Sequence, residues 1–144
     1  LSAPFEETLY FNSNRPGGVG GTDIYASTLQ PDGTFGPAGL VPELSSPLQD
    51  AGMAIRRDGL EMIMTSTRDG GLGSFDLWVA TRPSTSDPWS TPVNLGPVVN
   101  TAGGESRLPL SFDGTVLYFI SDRPGGSGNL DIWVSTRSKL TGPD

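Results

Sequence analysis

The chain has 144 residues, a net charge of −7 and 35% hydrophobic residues, enough for one domain with a core. Its 16 acids against 9 bases disfavour a nucleic-acid phosphate backbone or an anionic membrane surface as a partner. It has no His and no Cys, so Ser-His-Asp, Cys-His and thiolate-zinc chemistry are excluded by composition, as are disulfides. Gly (20) and Pro (13) approach a quarter of the positions and argue against long helices. No run approaches the roughly 18 apolar residues of a membrane-spanning helix. The chain opens on Leu1-Ser2-Ala3-Pro4 without a Met, which reads as a processed product or an excised piece.

Three segments line up along the chain. The first reads Leu9-Tyr10-Phe11-Asn12-Ser13-Asn14-Arg15-Pro16-Gly17-Gly18, then Asp23-Ile24-Tyr25. The second reads Met62-Ile63-Met64-Thr65-Ser66-Thr67-Arg68-Asp69-Gly70-Gly71, then Asp76-Leu77-Trp78. The third reads Leu117-Tyr118-Phe119-Ile120-Ser121-Asp122-Arg123-Pro124-Gly125-Gly126, then Asp131-Ile132-Trp133. The Asp residues fall 53 and 55 residues apart, and each follows its Arg by 8. Self-similarity at a fixed period marks a repeat architecture.

Each unit reads as four short strands, a to d. Strand b is the apolar triplet at 9–11, 62–64 or 117–119, and its lack of alternation predicts burial on both faces. Strand c opens on the recurrent Asp and is rich in β-branched and aromatic residues. Asp58-Gly59 and Asp113-Gly114 mark hairpin turns that join strand b to a strand a at 52–56 and 107–111. Residues 1–4 take the place of strand a in the first unit. Pro31-Asp32-Gly33 is another turn, leading to a fourth strand that contains Phe35; its counterpart lies at 89–95. Four antiparallel strands per unit, apolar on both faces, describe all-β propeller blades, with approximate bounds 1–49, 50–104 and 105–144 in a single partial domain. The last blade lacks its outer strand.

Two strings carry a family resemblance: Ser121-Asp122-Arg123-Pro124-Gly125-Gly126 through Asp131-Ile132-Trp133, and Trp89-Ser90-Thr91-Pro92-Val93-Asn94-Leu95-Gly96 followed by Asn100-Thr101. They resemble the WD40-like (PD40) repeat of TolB-type β-propellers. The resemblance implies six blades, a periplasmic or otherwise secreted bacterial setting, and a role in protein interaction or scaffolding. Three blades are half of six, so self-association into a homodimer that closes a six-bladed ring is the expected assembly.

The charged residues that recur are Arg15, Arg68 and Arg123, with Asp23, Asp76 and Asp131. A catalytic group is needed once, whereas these appear in every unit; the expectation is that each Asp caps its Gly-rich loop. The glycines of those loops serve positive φ angles rather than a phosphate cradle, because neither a following Lys-Ser or Lys-Thr nor a helix is present. Ser13, Ser66 and Ser121 are expected to bond the same Asp and the strand c aromatic. Asp50 and Glu105 occupy equivalent places ahead of strand a, at the mouth of the central channel. They and the three Arg form the candidate binding set, with an ion pair such as Glu105 with Arg123 as the structural alternative. Acids ringing a channel could hold Ca²⁺ or act on a sugar. Trp78, Trp89 and Trp133 could stack on sugars, with packing between blades the simpler account and Trp89 expected to be partly exposed. The first reading is a non-enzymatic interaction module with a protein partner, no cofactor, no metal, no nucleic acid and no membrane insertion. The alternative is a carbohydrate- or calcium-binding propeller. A remnant of a polysaccharide lyase or hydrolase stands third.

Overall fold

The computed structural model describes residues 7–106 and 109–139, and among these every helix-or-strand element is a β-strand. The strands form three antiparallel sheets in chain order. The first contains β1 (Thr8–Ser13), β2 (Asp23–Thr28) and β3 (Gly39–Leu40), ordered β1-β2-β3. The second contains β4 (Asp50–Ile55), β5 (Glu61–Ser66), β6 (Asp76–Thr81) and β7 (Val93–Asn94), ordered β4-β5-β6-β7. The third contains β8 (Glu105–Ser106), β9 (Val116–Ser121) and β10 (Asp131–Thr136), ordered β10-β9-β8.

Four strands are thus complete only in the second sheet. The strand a expected at 1–4 lies outside the described residues, as do Arg107 and Leu108 of the strand expected at 107–111. In that unit the described strand begins earlier, at Glu105, and Leu110 makes an isolated bridge to Leu117. Phe35 makes only a bridge to Leu29, and the third strand of its sheet is Gly39–Leu40. The strand expected at 89–95 is reduced to Val93–Asn94. Pro37 and Pro42 flank one of these short strands and Pro92 and Pro97 the other; without an N–H, Pro cannot extend a ladder.

Turn chemistry sets the registers. Gly59 and Gly114 take φ of 74° and 73° behind Asp58 and Asp113, whose carboxylates accept the N–H of Leu60 and Thr115. Hydrogen bonds from the Ser111 hydroxyl, then from Thr115, hold the Asp113 carboxyl down at about 2. In the β1–β2, β5–β6 and β9–β10 loops, Gly17, Gly70 and Gly125 take φ of 95°, 93° and 101°, a region that costs other residues energy.

The middle strand explains its unbroken apolar run: all six residues of β5 are buried. Met62 and Met64 lie opposite Ala80 and Trp78 on one face, and Ile63 opposite Val79 on the other. The first face joins Ile24, Leu44 and Trp89, with Tyr10 and Val41 of the first unit packed alongside. The second face joins Leu117 and Phe119 of the third sheet through Leu77 and Val99. Each fully buried side chain of this size contributes about 1.5–3 kcal/mol of transfer free energy. Trp89 belongs to this core instead of being partly exposed. It is 5% accessible, its ring meets Tyr10 edge-on at 6.1 Å, and its Nε1 donates to the Tyr10 hydroxyl at 3.2 Å. The indole folds in from the loop ahead of β7 over the first sheet. The end sheets are less covered: Ile132, Val134 and Tyr118 of the third and Leu9 of the first are exposed.

Candidate functional site

Strands β1, β5 and β9 end in Ser13, Ser66 and Ser121, and an Arg follows two residues later. In the second sheet, β4 pairs with β5 so that Asp50 lies directly opposite Ser66. A bulge at Gly52, with φ of 42°, interrupts the ladder just after this pair. The Asp50 carboxylate is fully buried. It accepts the Ser66 hydroxyl at 2.6 Å, the Ser46 N–H at 2.5 Å and Arg68 Nη2 at 2.7 Å. Arg68 Nη2 also donates to the Leu44 carbonyl of the preceding unit at 2.7 Å, and its Nε to Ser66 Oγ at 3.0 Å. Its guanidinium lies 5.5 Å from the Trp78 ring centre.

The third sheet repeats the arrangement. Glu105 lies opposite Ser121 and is fully buried. Its Oε1 accepts Ser121 Oγ at 2.8 Å, Thr101 Oγ1 at 2.5 Å and Arg123 Nη2 at 3.4 Å, while Thr101 N–H reaches Oε2 at 3.0 Å. Arg123 Nη2 donates to the Val99 carbonyl, and the guanidinium stands 5.2 Å from the Trp133 ring centre. Each Arg therefore ties a carboxylate of its own sheet to a carbonyl of the unit before. The candidate set Asp50, Arg68, Glu105 and Arg123 is brought together as two such latches, and the ion pair of Glu105 with Arg123 is among them. Bonds of this kind, with both partners mostly out of water, leave each carboxylate its hydrogen-bond partners inside the protein.

Arg15 stands apart. Its backbone N–H and its Nε donate to Ser13 Oγ at 3.2 and 3.1 Å, and its guanidinium lies 4.7 Å from the Tyr25 ring centre, as in the other two sheets. Among the described residues it has no acid and no carbonyl partner.

The recurrent Asp residues do cap their loops. Asp23 accepts the N–H groups of Val19 and Gly20 at 2.9 and 3.1 Å. Asp76 accepts those of Leu72 and Gly73 and also Asn94 Nδ2 at 3.1 Å. Asp131 accepts Gly128 N–H at 3.1 Å. The expected bonding of the recurrent Ser to this Asp and its aromatic is not formed. Ser66 and Ser121 face the other edge of their strands, toward Asp50 and Glu105, and Tyr25 Oη, Trp78 Nε1 and Trp133 Nε1 are buried without a hydrogen-bond partner among the described residues.

Sequence reasoning missed the contacts of four side chains. Asn100 spans β6 by accepting Leu77 N–H at 2.8 Å and donating to Leu77 O at 2.9 Å; Ser45 serves Ile24 in the same place. Arg137 pairs with Glu61 of the second sheet through both guanidinium ends. Arg82, at the matching position, contacts the Tyr10 hydroxyl at 3.4 Å and stacks 4.2 Å from the Trp89 ring centre. The recurrence of Arg82 and Arg137 was the available signal. Among the described residues, no group of three or more potential metal-ligating side chains is gathered.

Neither the family models nor the curated proteins compared with this chain match it.

Proposed function

We propose that the three sheets are consecutive blades of a β-propeller of the TolB-like kind, acting as a non-enzymatic interaction scaffold of a bacterial envelope or secreted protein. One observation carries this reading. The acids and two of the three Arg that could have formed a ligand site are spent on tying one sheet to the next: Arg68 to Leu44 O and Asp50, Arg123 to Val99 O and Glu105. Groups engaged in this way favour architecture over chemistry. A glycan array and calorimetry with Ca²⁺ test it. The scaffold reading expects neither a specific sugar nor a heat of Ca²⁺ binding, and either would move the assignment to a lectin-like or calcium-binding propeller.

The same reading includes self-association into a ring. Closed propellers have about 4 to 8 blades, and with three sheets per chain only two copies fall in that range. A residue pair supports direct contact between the first sheet of one copy and the third of another. At the junction of the second and third sheets, Arg137 meets Glu61. The first sheet has Leu29 where Arg137 stands, and the third has Val116 where Glu61 stands, as the shared backbone bonds show: Leu29 N–H to Glu7 O and Arg137 N–H to Thr115 O. Both members of the ion pair are replaced by apolar residues, so the two open faces match each other. Exposed Tyr118, Ile132 and Val134 on one and Leu9 on the other supply the apolar surface. Light scattering in dilute solution checks the mass: a dimer is expected, and a monomer at micromolar concentration refutes the ring.

A further inference from the structure

We infer that Asp69-Gly70 is a site of spontaneous modification, at which the main chain closes on the Asp69 carboxyl as a succinimide and reopens in part as isoaspartate. The inference is independent of the propeller reading and of the ring. It rests on the loop between β5 and β6 and on a comparison of the four Asp-Gly pairs of the chain.

The reaction needs an Asp whose successor offers an unhindered N–H, and a carboxyl able to swing onto it. Glycine, without a Cβ, hinders the approach least. The Gly70 nitrogen attacks Asp69 Cγ, a C–N bond forms, and the carboxyl hydroxyl leaves with the amide proton as water. Water then adds to one of the two imide carbonyls. Cleavage at Cγ restores Asp. Cleavage at the main-chain carbonyl leaves the backbone running through Cγ, which is isoaspartate with a free α-carboxylate. One water is lost and one regained, so no other reactant is consumed.

The pairs are Asp32-Gly33, Asp58-Gly59, Asp69-Gly70 and Asp113-Gly114, and all four Asp are exposed. Exposure therefore does not distinguish them, but hydrogen bonding does. The N–H groups of Gly33, Gly59 and Gly114 donate to the carbonyls of Gln30, Arg56 and Ser111 at 2.9, 2.8 and 2.9 Å. The three carboxylates are engaged as well. Asp32 accepts the N–H and hydroxyl of Thr34, Asp58 accepts Arg56 Nε and the Leu60 N–H, and Asp113 accepts the Ser111 and Thr115 hydroxyls. Bonds from Thr34, Arg56 and Ser111 respectively hold these carboxyls below the usual carboxylate range, which depletes the neutral acid that gives up water. Arg82 Nε and Arg137 Nε also hold the Gly59 and Gly114 carbonyls at 2.8 and 2.7 Å.

Asp69 and Gly70 form the centre of an exposed turn, and neither the Asp69 carboxylate nor the Gly70 N–H has a hydrogen-bond partner among the described residues. The other two repeats show why the carboxylate has no structural task. Pro16 and Pro124 stand in the place of Asp69, ahead of Gly17 and Gly125, whose φ of 95° and 101° match the 93° of Gly70. Pro followed by a Gly with positive φ is the chemistry of a type II turn. The fold thus asks position 69 only for a compatible φ, and the reactive carboxyl is an addition of the second repeat.

Incubation of the intact chain at neutral pH in heavy-oxygen water, with and without urea, tests this. Digestion in ordinary water and peptide mass spectrometry then count the label, because each passage through the ring leaves one heavy oxygen. In the folded chain the Asp69 peptide should gain label at least about tenfold faster than those of Asp32, Asp58 and Asp113, the ratio set by one hydrogen bond to a charged group that the others must break first. Isoaspartate should appear at position 69, separated from Asp by chromatography. In urea the four rates should draw together, since the fold is what shields the other three. Asp69→Pro, which copies the residue of the other repeats, should abolish the isoaspartate at this place. Equal labelling of the four sites in the folded chain, a lead at any other site, or a lead of Asp69 that persists undiminished in urea would each overturn the inference. The labelling ratio is read on the unaltered chain, so it decides the matter whether or not the Pro variant folds.

Discussion

Replacing Arg68 by Met separates a structural latch from a decorative surface charge. The substitution leaves Asp50 fully buried with two donors, the Ser66 hydroxyl at 2.6 Å and the Ser46 N–H at 2.5 Å, and strips the Leu44 carbonyl of its Nη2 partner. Breaking a buried pair from one side costs about 3–5 kcal/mol. The two surviving donors and the 11% accessibility of the Arg68 side chain place this case at the low end, at about 3 kcal/mol. The matching substitution Arg15→Met removes an exposed cation with no acid partner among the described residues and should cost less than about 1 kcal/mol. Urea unfolding followed by tryptophan fluorescence measures both, because Trp78 lies directly under Arg68. With a slope of about 1–3 kcal/mol per molar urea, Arg68→Met should lower the midpoint by about 1–3 M, and Arg15→Met by a small fraction of that. Equal, small shifts for the two variants would refute the argument that these latches hold the sheets together.

Four further outcomes are expected. A Cβ at Gly73 would run into the carbonyls of Gly103 and Thr101, so Gly73→Ala should cost about 1–3 kcal/mol; at Gly128 the nearest atom is Asp131 Oδ1 at 4.0 Å, and Gly128→Ala should stay within about 0.5 kcal/mol by the same unfolding assay. Asp76→Ala should destabilise more than Asp131→Ala, by about 1–3 kcal/mol, because Asp76 is buried with two loop N–H groups and Asn94 on its carboxylate while Asp131 holds one; calorimetric melting ranks them. Trp89→Phe should lower stability by about 1 kcal/mol through the lost Tyr10 hydrogen bond, readable in thermal melts, and Tyr10→Phe together with it should cost little more. For the ring, Leu29→Arg or Val116→Glu alone should dissociate the dimer, and the two single variants mixed should restore it in sedimentation, since one junction then gains an ion pair and the other is unchanged.

The strands that were legible in the sequence are those whose own residues decide them. Runs such as Met62-Ile63-Met64 and Asp131-Ile132-Trp133 fall inside β5 and β10, and the Asp-Gly turns stand where expected because positive φ has few residue solutions. The outermost strands were overestimated, since their ladders stop where Pro withholds an N–H, a cost invisible to a pattern of apolar residues. Of the candidate site, the pairing of Glu105 with Arg123 could be anticipated from opposite charges that recur together. The partner of Ser66 could not: which side of a strand a hydroxyl serves depends on pairing with a strand 16 residues earlier, and the local sequence offers Asp76 and Asp50 equally. Trp89 was misplaced for the related reason that its neighbours in sequence are polar loop residues, while its neighbours in space are Tyr10 and Arg82.

The bonds from one unit to the next also bear on how the chain comes apart. Asp50 N–H bonds Thr22 O, Glu105 N–H bonds Phe75 O, and Arg68 and Arg123 reach back to Leu44 and Val99. Every sheet therefore borrows part of its hydrogen bonding from its neighbour, and the free energy of the array is a sum of unit terms and junction terms, as in a one-dimensional chain of coupled spins. The second sheet shares two junctions and the outer sheets one each among the described residues. In a single chain outside any ring, opening is expected to begin at the outer sheets and to reach β5 last, so that amides in β5 exchange with solvent only through the global transition and those of β1 and β10 through local fraying.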